Sequence, residues 1–101
     1  MAKYGKIQEM EFEWDNEKEQ ENIKKHRVTF LEAMESFLDP RGFQMADPEH
    51  SQLERRFYWI GKSKSGRILT SRFTLRDSKI RIFGSAEWRK FRRLYETTQI
   101  K

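Results

Sequence analysis

The chain has 101 residues, of which 37% are charged and 36% hydrophobic, so it is long enough for one domain with a small core. It contains no Cys, which excludes disulfides, thiol catalysis and Cys-ligated zinc, and it has no apolar run that could serve as a signal peptide or a membrane-spanning helix. We therefore expect one cytoplasmic domain over residues 1–101, with flexible segments at 1–9 and 97–101 and no contact with a membrane.

Charge is distributed unevenly along the chain. Residues 1–54 contain 7 Lys/Arg and 13 Asp/Glu, whereas residues 55–101 contain 14 Lys/Arg and 3 Asp/Glu. A basic segment of this kind favours a polyanionic partner, because each phosphate that it neutralises releases counterions. The acidic segment is suited to balancing that charge or to docking a basic partner.

The N-terminal half of the sequence predicts a strand followed by a helical hairpin. Apolar residues alternate with Glu over residues 10–14, which predicts a short strand. Asp15 is a suitable N-cap for a first helix that runs to about Lys25. A second helix begins with a capping box at 29–32 and ends at Asp39-Pro40. Its apolar face consists of Phe30, Ala33, Met34 and Phe37.

From residue 41 onward the apolar pattern repeats every two positions, which predicts strands. We expect these strands at 42–46, 55–61, 67–75 and 79–84. Ser85 is a candidate N-cap for a last helix from about Glu87 to Glu96. The order β-α-α-β-β-β-β-α predicts an α+β fold, in which the N-terminal strand and the helical hairpin pack on one face of a four- to five-stranded antiparallel sheet and leave the other face open.

A set of residues with fixed spacing begins in the first predicted strand and runs through the helical hairpin. It consists of Phe12-Glu13-Trp14-Asp15, Lys18, Asn22, Lys25-His26, Val28, Phe30 and Glu32-Ala33. The pattern continues through Asp39-Pro40, Asp47 and His50, Glu54-Arg55, Gly61, Gly66-Arg67 and Ile80-Arg81-Ile82. In these residues, which extend over most of the chain, the sequence resembles the BrnT family, the toxins of bacterial type II toxin–antitoxin pairs.

The resemblance implies a RelE-like fold and a ribonuclease that cuts RNA and arrests growth or translation. It also implies a BrnA-like antitoxin that covers and silences the toxin, with promoter DNA contacted only through the antitoxin. One position departs from the pattern, because Glu87 follows Ser85-Ala86 where many family members have Arg.

Cleavage of RNA without a metal requires a group that takes the 2′-hydroxyl proton, cations for the phosphorane and a proton for the leaving 5′-oxygen. No Asp/Glu cluster has metal-binding spacing, so we expect no metal and no other cofactor. We interpret His26 as the proton carrier, Lys25 as a phosphate clamp and Arg81 as a catalytic cation on the open face of the sheet. In the alternative interpretation, Lys25 and His26 only cap the first helix and Arg81 pairs with a carboxylate such as Glu54.

The predicted RNA-binding residues are basic side chains of the second half, and the alternative for each is a solvated surface position. They are Arg55, Arg67, Arg72, Arg89, Lys90, Arg92 and Arg93. We expect His50, beside Pro48, to be a loop residue. The leading hypothesis is thus a ribonuclease toxin, and the alternative is a non-catalytic module that binds nucleic acid or the antitoxin. The ribonuclease hypothesis requires the basic residues to converge on one surface.

Overall fold

The structure, a computed structural model that describes residues 2–7 and 9–99, contains a six-stranded β-sheet and three α-helices. The strands are β1 (Ala2–Ile7), β2 (Met10–Asp15), β3 (Phe43–Ala46), β4 (Arg56–Lys62), β5 (Ile68–Arg76) and β6 (Lys79–Ala86). The helices are α1 (Asn16–His26), α2 (Phe30–Ser36) and α3 (Arg89–Thr98), and a single 3-10 turn lies at Pro48–His50. Within the described residues, no helix is both long enough and apolar enough to cross a bilayer.

The predicted α+β class is confirmed, but the sheet is mixed and has six strands where four to five antiparallel strands were expected. Its strand order is β1-β2-β6-β5-β4-β3, and only β2 and β6 run parallel. The extra strand, β1, lies in the segment 1–9 that we predicted to be a flexible lead-in. It has no apolar alternation, and it forms because it pairs along its whole length with β2, from Ala2 opposite Asp15 to Ile7 opposite Met10. Residues 1, 8, 100 and 101 of the predicted flexible segments lie outside the described residues.

Local hydrogen bonds explain where α1 begins and ends. The Asp15 carboxylate accepts from the backbone N–H groups of Glu17 at 2.8 Å and Lys18 at 3.1 Å, as predicted for an N-cap. These two bonds, the one from Lys18 above all, lower the pKa of Asp15. At the other end, Arg27 adopts the left-handed conformation with φ of 57° and donates its N–H to the carbonyl of Ile23 at 2.9 Å.

Helix α2 covers one face of the sheet and supplies much of the core. Its N-cap is Thr29, whose hydroxyl oxygen accepts from the N–H of Glu32 at 3.1 Å, as the capping box predicted. The predicted apolar face of α2 is buried against aromatic and aliphatic side chains of the strands. This cluster comprises Phe12, Trp14, Phe30, Ala33, Met34, Phe37, Phe73 and Ile82.

Helix α3 packs on the opposite face, over β4 and β5. Because side chains alternate along a strand, Phe57 faces the core cluster while Tyr58 faces α3, where its ring centroid lies 4.9 Å from that of Phe91. The prediction that Ser85 is the N-cap of the last helix is wrong. Ser85 is a buried residue of β6, and Trp88 occupies the N-cap position of α3. Helix α3 therefore covers part of the face that we expected to be open.

Candidate nucleic-acid interface

A single amide side chain attaches α1 to the sheet beside the end of β6. Strand β2 pairs with β6 only as far as Ile82, whereas β6 continues to Ala86. Beyond β2, Asn22 Nδ2 donates to the carbonyl oxygen of Ser85 at 2.8 Å, and Asn22 Oδ1 accepts from the N–H of Ser85 at 3.1 Å. Asn22 Nδ2 also donates to the carbonyl of Val28 at 3.0 Å, so the whole amide is used. The last turn of α1 is therefore held against the sheet.

Two adjoining cavities lie on the α3 side of the sheet, next to this turn of α1. The first, of about 210 Å³, is lined by Lys18, Glu21, Asn22, Lys25, His26, Arg72 and Phe83. The second, of about 410 Å³, is lined by Tyr58, Arg72, Trp88, Arg89, Lys90 and Phe91. Arg72 lines both, so we call the two cavities together the Arg72 cleft.

Arg72 is the central cation of this cleft and has no anionic partner among the described residues. Its Nε atom is buried and has no hydrogen-bond partner in the described part of the chain. The guanidinium carbon lies 5.8 Å from the ring centroid of Trp88, and a Cβ atom added to Gly84 would lie 3.2 Å from Arg72 Nη2. Gly84 thus leaves room for a guanidinium whose terminal N–H donors have no acceptor among the described residues.

Lys25 and His26 approach the same cleft from α1. The His26 imidazole makes an edge contact with Trp88, with 5.7 Å between the ring centroids. Among the described residues, neither the imidazole nor the Lys25 ammonium takes part in a hydrogen bond or an ion pair. Both groups are therefore available to a ligand bound at Arg72.

The first turn of α3 has charges that oppose the helix dipole. It contains Arg89 and Lys90 and no acidic residue, and the N-cap Trp88 makes no side-chain capping bond. Each cation at a helix N-terminus costs about 0.3–1 kcal/mol, because the exposed N–H groups already carry partial positive charge. A bound anion would remove that cost. The charges of this turn therefore favour binding of a phosphate, although they lower the stability of the unliganded helix.

Two further cations lie over the ring of Phe83, which lines the first cavity. The Arg56 guanidinium carbon lies 4.2 Å and the Lys18 ammonium 5.4 Å from the ring centroid of Phe83. The sequence analysis did not assign these three residues to the site. They lie on three different elements, α1, β4 and β6, so no local pattern in the sequence identified the face that they share.

The cleft brings together Lys25, His26, Arg72, Arg89 and Lys90 of the predicted site residues. Arg81, the third predicted catalytic residue, lies outside it. Its Nη1 donates to Glu13 Oε2 at 2.9 Å across the parallel pair of β2 and β6, and its side chain is 20% exposed. Arg81 therefore pairs with a carboxylate, as in the alternative interpretation, although that carboxylate is Glu13 and not Glu54. Its catalytic role stays a prediction.

Arg67 is engaged in a dense network on the hairpin between β4 and β5. It donates to both carboxylate oxygens of Glu32, including a 3.0 Å bond from Nε to Oε2, and to the carbonyl of Arg27 at 3.0 Å. Its Nη1 also lies 3.3 Å from Glu87 Oε2, so the residue that departs from the family pattern pairs with Arg67. The hydroxyls of Ser63 and Ser65 donate to Glu32 as well.

The pKa values in this network reflect the strength of its contacts. The bonds from Arg67, followed by those from the two serines, outweigh burial and lower the pKa of Glu32 to about 2. The same contact with Glu32 raises the pKa of Arg67. We call the set formed by Glu32, Ser63, Ser65, Arg67 and Glu87 the Arg67 network.

The remaining predicted RNA-binding residues lie outside the cleft. Arg55 stacks on Phe57 with 6.0 Å from the guanidinium carbon to the ring centroid, and Arg92 Nε lies 3.5 Å from Glu96 on the same helix. Arg93 is an exposed residue of α3. Their roles, like that of Arg67, stay predictions.

The second histidine is separated from the Arg72 cleft. His50 lies in the 3-10 turn, and its Nδ1 is 2.9 Å from Oδ2 of the buried Asp47. It lines a different cavity, with Glu49 and Arg56 among its neighbours. Within residues 2–7 and 9–99, no three His, Cys, Asp or Glu side chains are grouped closely enough to hold a metal ion. Cleavage of RNA without a metal stays a prediction.

An α+β domain whose α3 face carries a guanidinium without an anionic partner among the described residues, further cations and partly exposed aromatic rings belongs to the class of proteins suited to bind nucleic acid. Residues 14–91 match the sequence model of a family described as the ribonuclease toxin BrnT of type II toxin–antitoxin systems. The chain belongs to this family, as its spaced residues predicted, and membership implies an antitoxin partner. A search of curated proteins finds no match to the chain.

Proposed function

We propose that the protein is the toxin of a type II toxin–antitoxin pair, a metal-independent endoribonuclease that cuts RNA at the Arg72 cleft and so arrests growth or translation in the cytoplasm. The observation that carries the proposal is the Arg72 guanidinium, whose buried Nε lacks a partner while Lys25 and His26 line the same cavity. The Arg72 guanidinium makes no hydrogen bond with the described residues, so its terminal N–H groups, which line the cavity, are the donors left for a bound anion.

In the proposed reaction, Arg72 and Lys25 hold the non-bridging oxygens of the scissile phosphate. The His26 imidazole accepts the proton of the adjacent 2′-hydroxyl, and that oxygen attacks phosphorus. The P–O5′ bond then breaks, water protonates the leaving oxygen, and the products are a 2′,3′-cyclic phosphate and a 5′-hydroxyl. We assign the phosphate to Arg72 and not to Arg81, because Glu13 already engages the Arg81 guanidinium.

The proposed partner is a BrnA-like antitoxin that covers the Arg72 cleft and keeps RNA out. Promoter DNA would be contacted only through the antitoxin. The acidic residues of α1 and β2 support a second contact with basic segments of that antitoxin, since Glu11 and Glu17 are exposed and lie outside the cleft.

The test is cleavage of RNA by the purified protein in the presence of EDTA, with the chemistry of the product ends determined. We expect cyclic phosphate and 5′-hydroxyl ends, and His26→Ala should lower kcat/KM by about 10²-fold, as is usual for loss of a proton-transfer group. Arg41→Ala is the matched control, because Arg41 is exposed and lies outside the cleft.

Two results would contradict the proposal. Salt-dependent RNA binding without any cleavage products would favour the alternative, a non-catalytic binding module. Full activity in both His26→Ala and Arg81→Ala would remove the predicted catalytic set.

A further inference from the structure

The larger cavity of the Arg72 cleft has an apolar wall made of three aromatic rings. Tyr58 and Phe91 are tilted by 38° with their centroids 4.9 Å apart, and Trp88 and Phe91 meet at 61° with 6.4 Å between centroids. All three side chains are partly exposed and none belongs to the core cluster on the α2 face. The rings therefore offer free aromatic surface at the edge of a cationic site.

The position of this aromatic wall is fixed relative to Arg72. Tyr58 on β4 is the direct cross-strand partner of Arg72 on β5, and both side chains point to the α3 face. Trp88 lies beneath the Arg72 guanidinium, 5.8 Å from ring centroid to guanidinium carbon. A phosphate held by Arg72 thus has aromatic rings on two sides, within reach of the nucleoside attached to it.

The charges around the cavity match a nucleotide better than an apolar peptide. Arg72, Arg89 and Lys90 are its only charged lining residues in the described part of the chain, and all three are cationic. Three cations beside three aromatic rings complement a phosphodiester backbone with an unstacked base, because each base has a π-face and each phosphate a negative charge.

We propose that the cavity between Tyr58, Trp88 and Phe91 binds one unstacked nucleobase next to the phosphate held by Arg72, so that the substrate is single-stranded RNA. This inference rests on the proposed function, since it assumes that RNA occupies the Arg72 cleft. A base inside a duplex is stacked on both sides and cannot enter the cavity, and A-form RNA displays only its backbone and shallow groove.

The experiment uses a 2′-O-methyl oligonucleotide, which lacks the attacking hydroxyl and so measures binding without cleavage. In a series of such oligonucleotides, one nucleotide at a time is replaced by an abasic one, and affinity is measured by fluorescence anisotropy. We expect one position at which loss of the base weakens binding about 10-fold, the usual contribution of stacking on an aromatic side chain. The Phe91→Ala variant should bind the complete and the abasic oligonucleotides equally.

Two controls keep a folding defect from being mistaken for loss of the base site. Leu94→Ala lies on the same helix outside the cavity and should retain the difference between complete and abasic oligonucleotides. Tyr58→Leu keeps an apolar side chain on β4 but removes the ring, and it should lose the difference as Phe91→Ala does. Thermal unfolding of each variant verifies that the domain is folded.

The outcomes separate this inference from the proposed function. If no oligonucleotide binds, the proposed function fails. If RNA binds and is cut, but abasic and complete oligonucleotides bind equally at every position and a duplex binds as tightly, only the base site is overturned. If Phe91→Ala retains full affinity for RNA and the difference between complete and abasic oligonucleotides, and loses only inhibition by the antitoxin, the cavity is assigned to the antitoxin and the base site is overturned as well.

Discussion

Arg67 and Arg72 lie five residues apart on one hairpin, yet their surroundings are opposite. Arg67 contacts the Glu32 and Glu87 carboxylates and the carbonyl of Arg27, whereas Arg72 has a buried Nε without a partner among the described residues. Arg67 joins α2 to the β4–β5 hairpin, whereas the Arg72 side chain lies between two cavities and lines both of them. The hydrogen-bond and ion-pair partners of an arginine therefore distinguish a structural role from a binding role better than its position in a basic segment does.

Truncation of Arg72 is the strongest test of the different roles of the two arginines. Arg72→Ala should lower kcat/KM for RNA by about 10²–10³-fold, because the variant loses the donors that stabilise charge on the phosphorane. Its free energy of unfolding should change by less than about 1 kcal/mol, since the variant breaks no hydrogen bond or ion pair among the described residues and loses only the contact with Trp88. Arg72→Ala with full activity, or with a large loss of stability, would reverse the roles given to the two arginines.

Truncation of Arg67 should have the opposite effect. Arg67→Ala leaves the partly buried Glu32 carboxylate without its main donor, and we expect a loss of about 2–3 kcal/mol in the free energy of unfolding, measured in urea. Activity at a temperature where the variant is folded should stay close to that of wild type. A selective loss of RNA affinity in a stable Arg67→Ala variant would instead support its predicted role in RNA binding.

A comparison of wild type with Glu32→Gln isolates the part of the pH dependence of stability that comes from the Arg67 network, and this effect is smaller. The pKa of Glu32 is lowered from 4.5 to about 2, so between these values the unfolded chain binds more protons than the folded one. The stabilisation is complete above pH 4.5 and is lost as the pH falls towards 2. The difference in unfolding free energy between wild type and Glu32→Gln should therefore narrow over that interval, and a constant difference would contradict it.

The smallest predicted effect concerns Arg27, which takes part in the network only through its backbone carbonyl. Its φ of 57° is the left-handed conformation that glycine adopts without strain. Arg27→Gly should raise the free energy of unfolding by about 0.5–1 kcal/mol and leave RNA cleavage unchanged. Destabilisation would indicate that the Arg27 side chain makes a contribution of its own, and Arg27→Ala separates the two effects.

The elements that the sequence predicted well are those set by local signals. Asp15 and Thr29 form capping bonds with neighbours two or three residues away, and both caps lie where expected. Strand β1 was missed because its stability comes from pairing with β2, and the parallel pairing of β2 with β6 was missed because it joins segments far apart in sequence. Ser85 has the residue type of a cap but is buried beside Asn22.

Prediction of the candidate site was also limited by contacts between residues far apart in sequence. The motif drew attention to Lys25 and His26, but composition gives Arg67 and Arg72 equal weight. Only the fold brings Glu32 to Arg67, 35 residues along the chain, and leaves Arg72 beside Trp88 without an ion pair to any described residue. The sequence predicted that the last helix begins at about Glu87, whereas Trp88 is its N-cap and lines the cleft.

The attachment of α1 through Asn22 has a consequence for genetic screens of toxicity. Under the proposed function, a substitution there would release the turn that carries Lys25 and His26 and so abolish growth arrest, although the amide is fully bonded to the backbone of Ser85 and Val28. A selection for survivors should return Asn22 mutants together with those of Arg72, and phenotype alone cannot separate them. Melting temperature can, since only the Asn22 mutants lose a buried connection between helix and sheet.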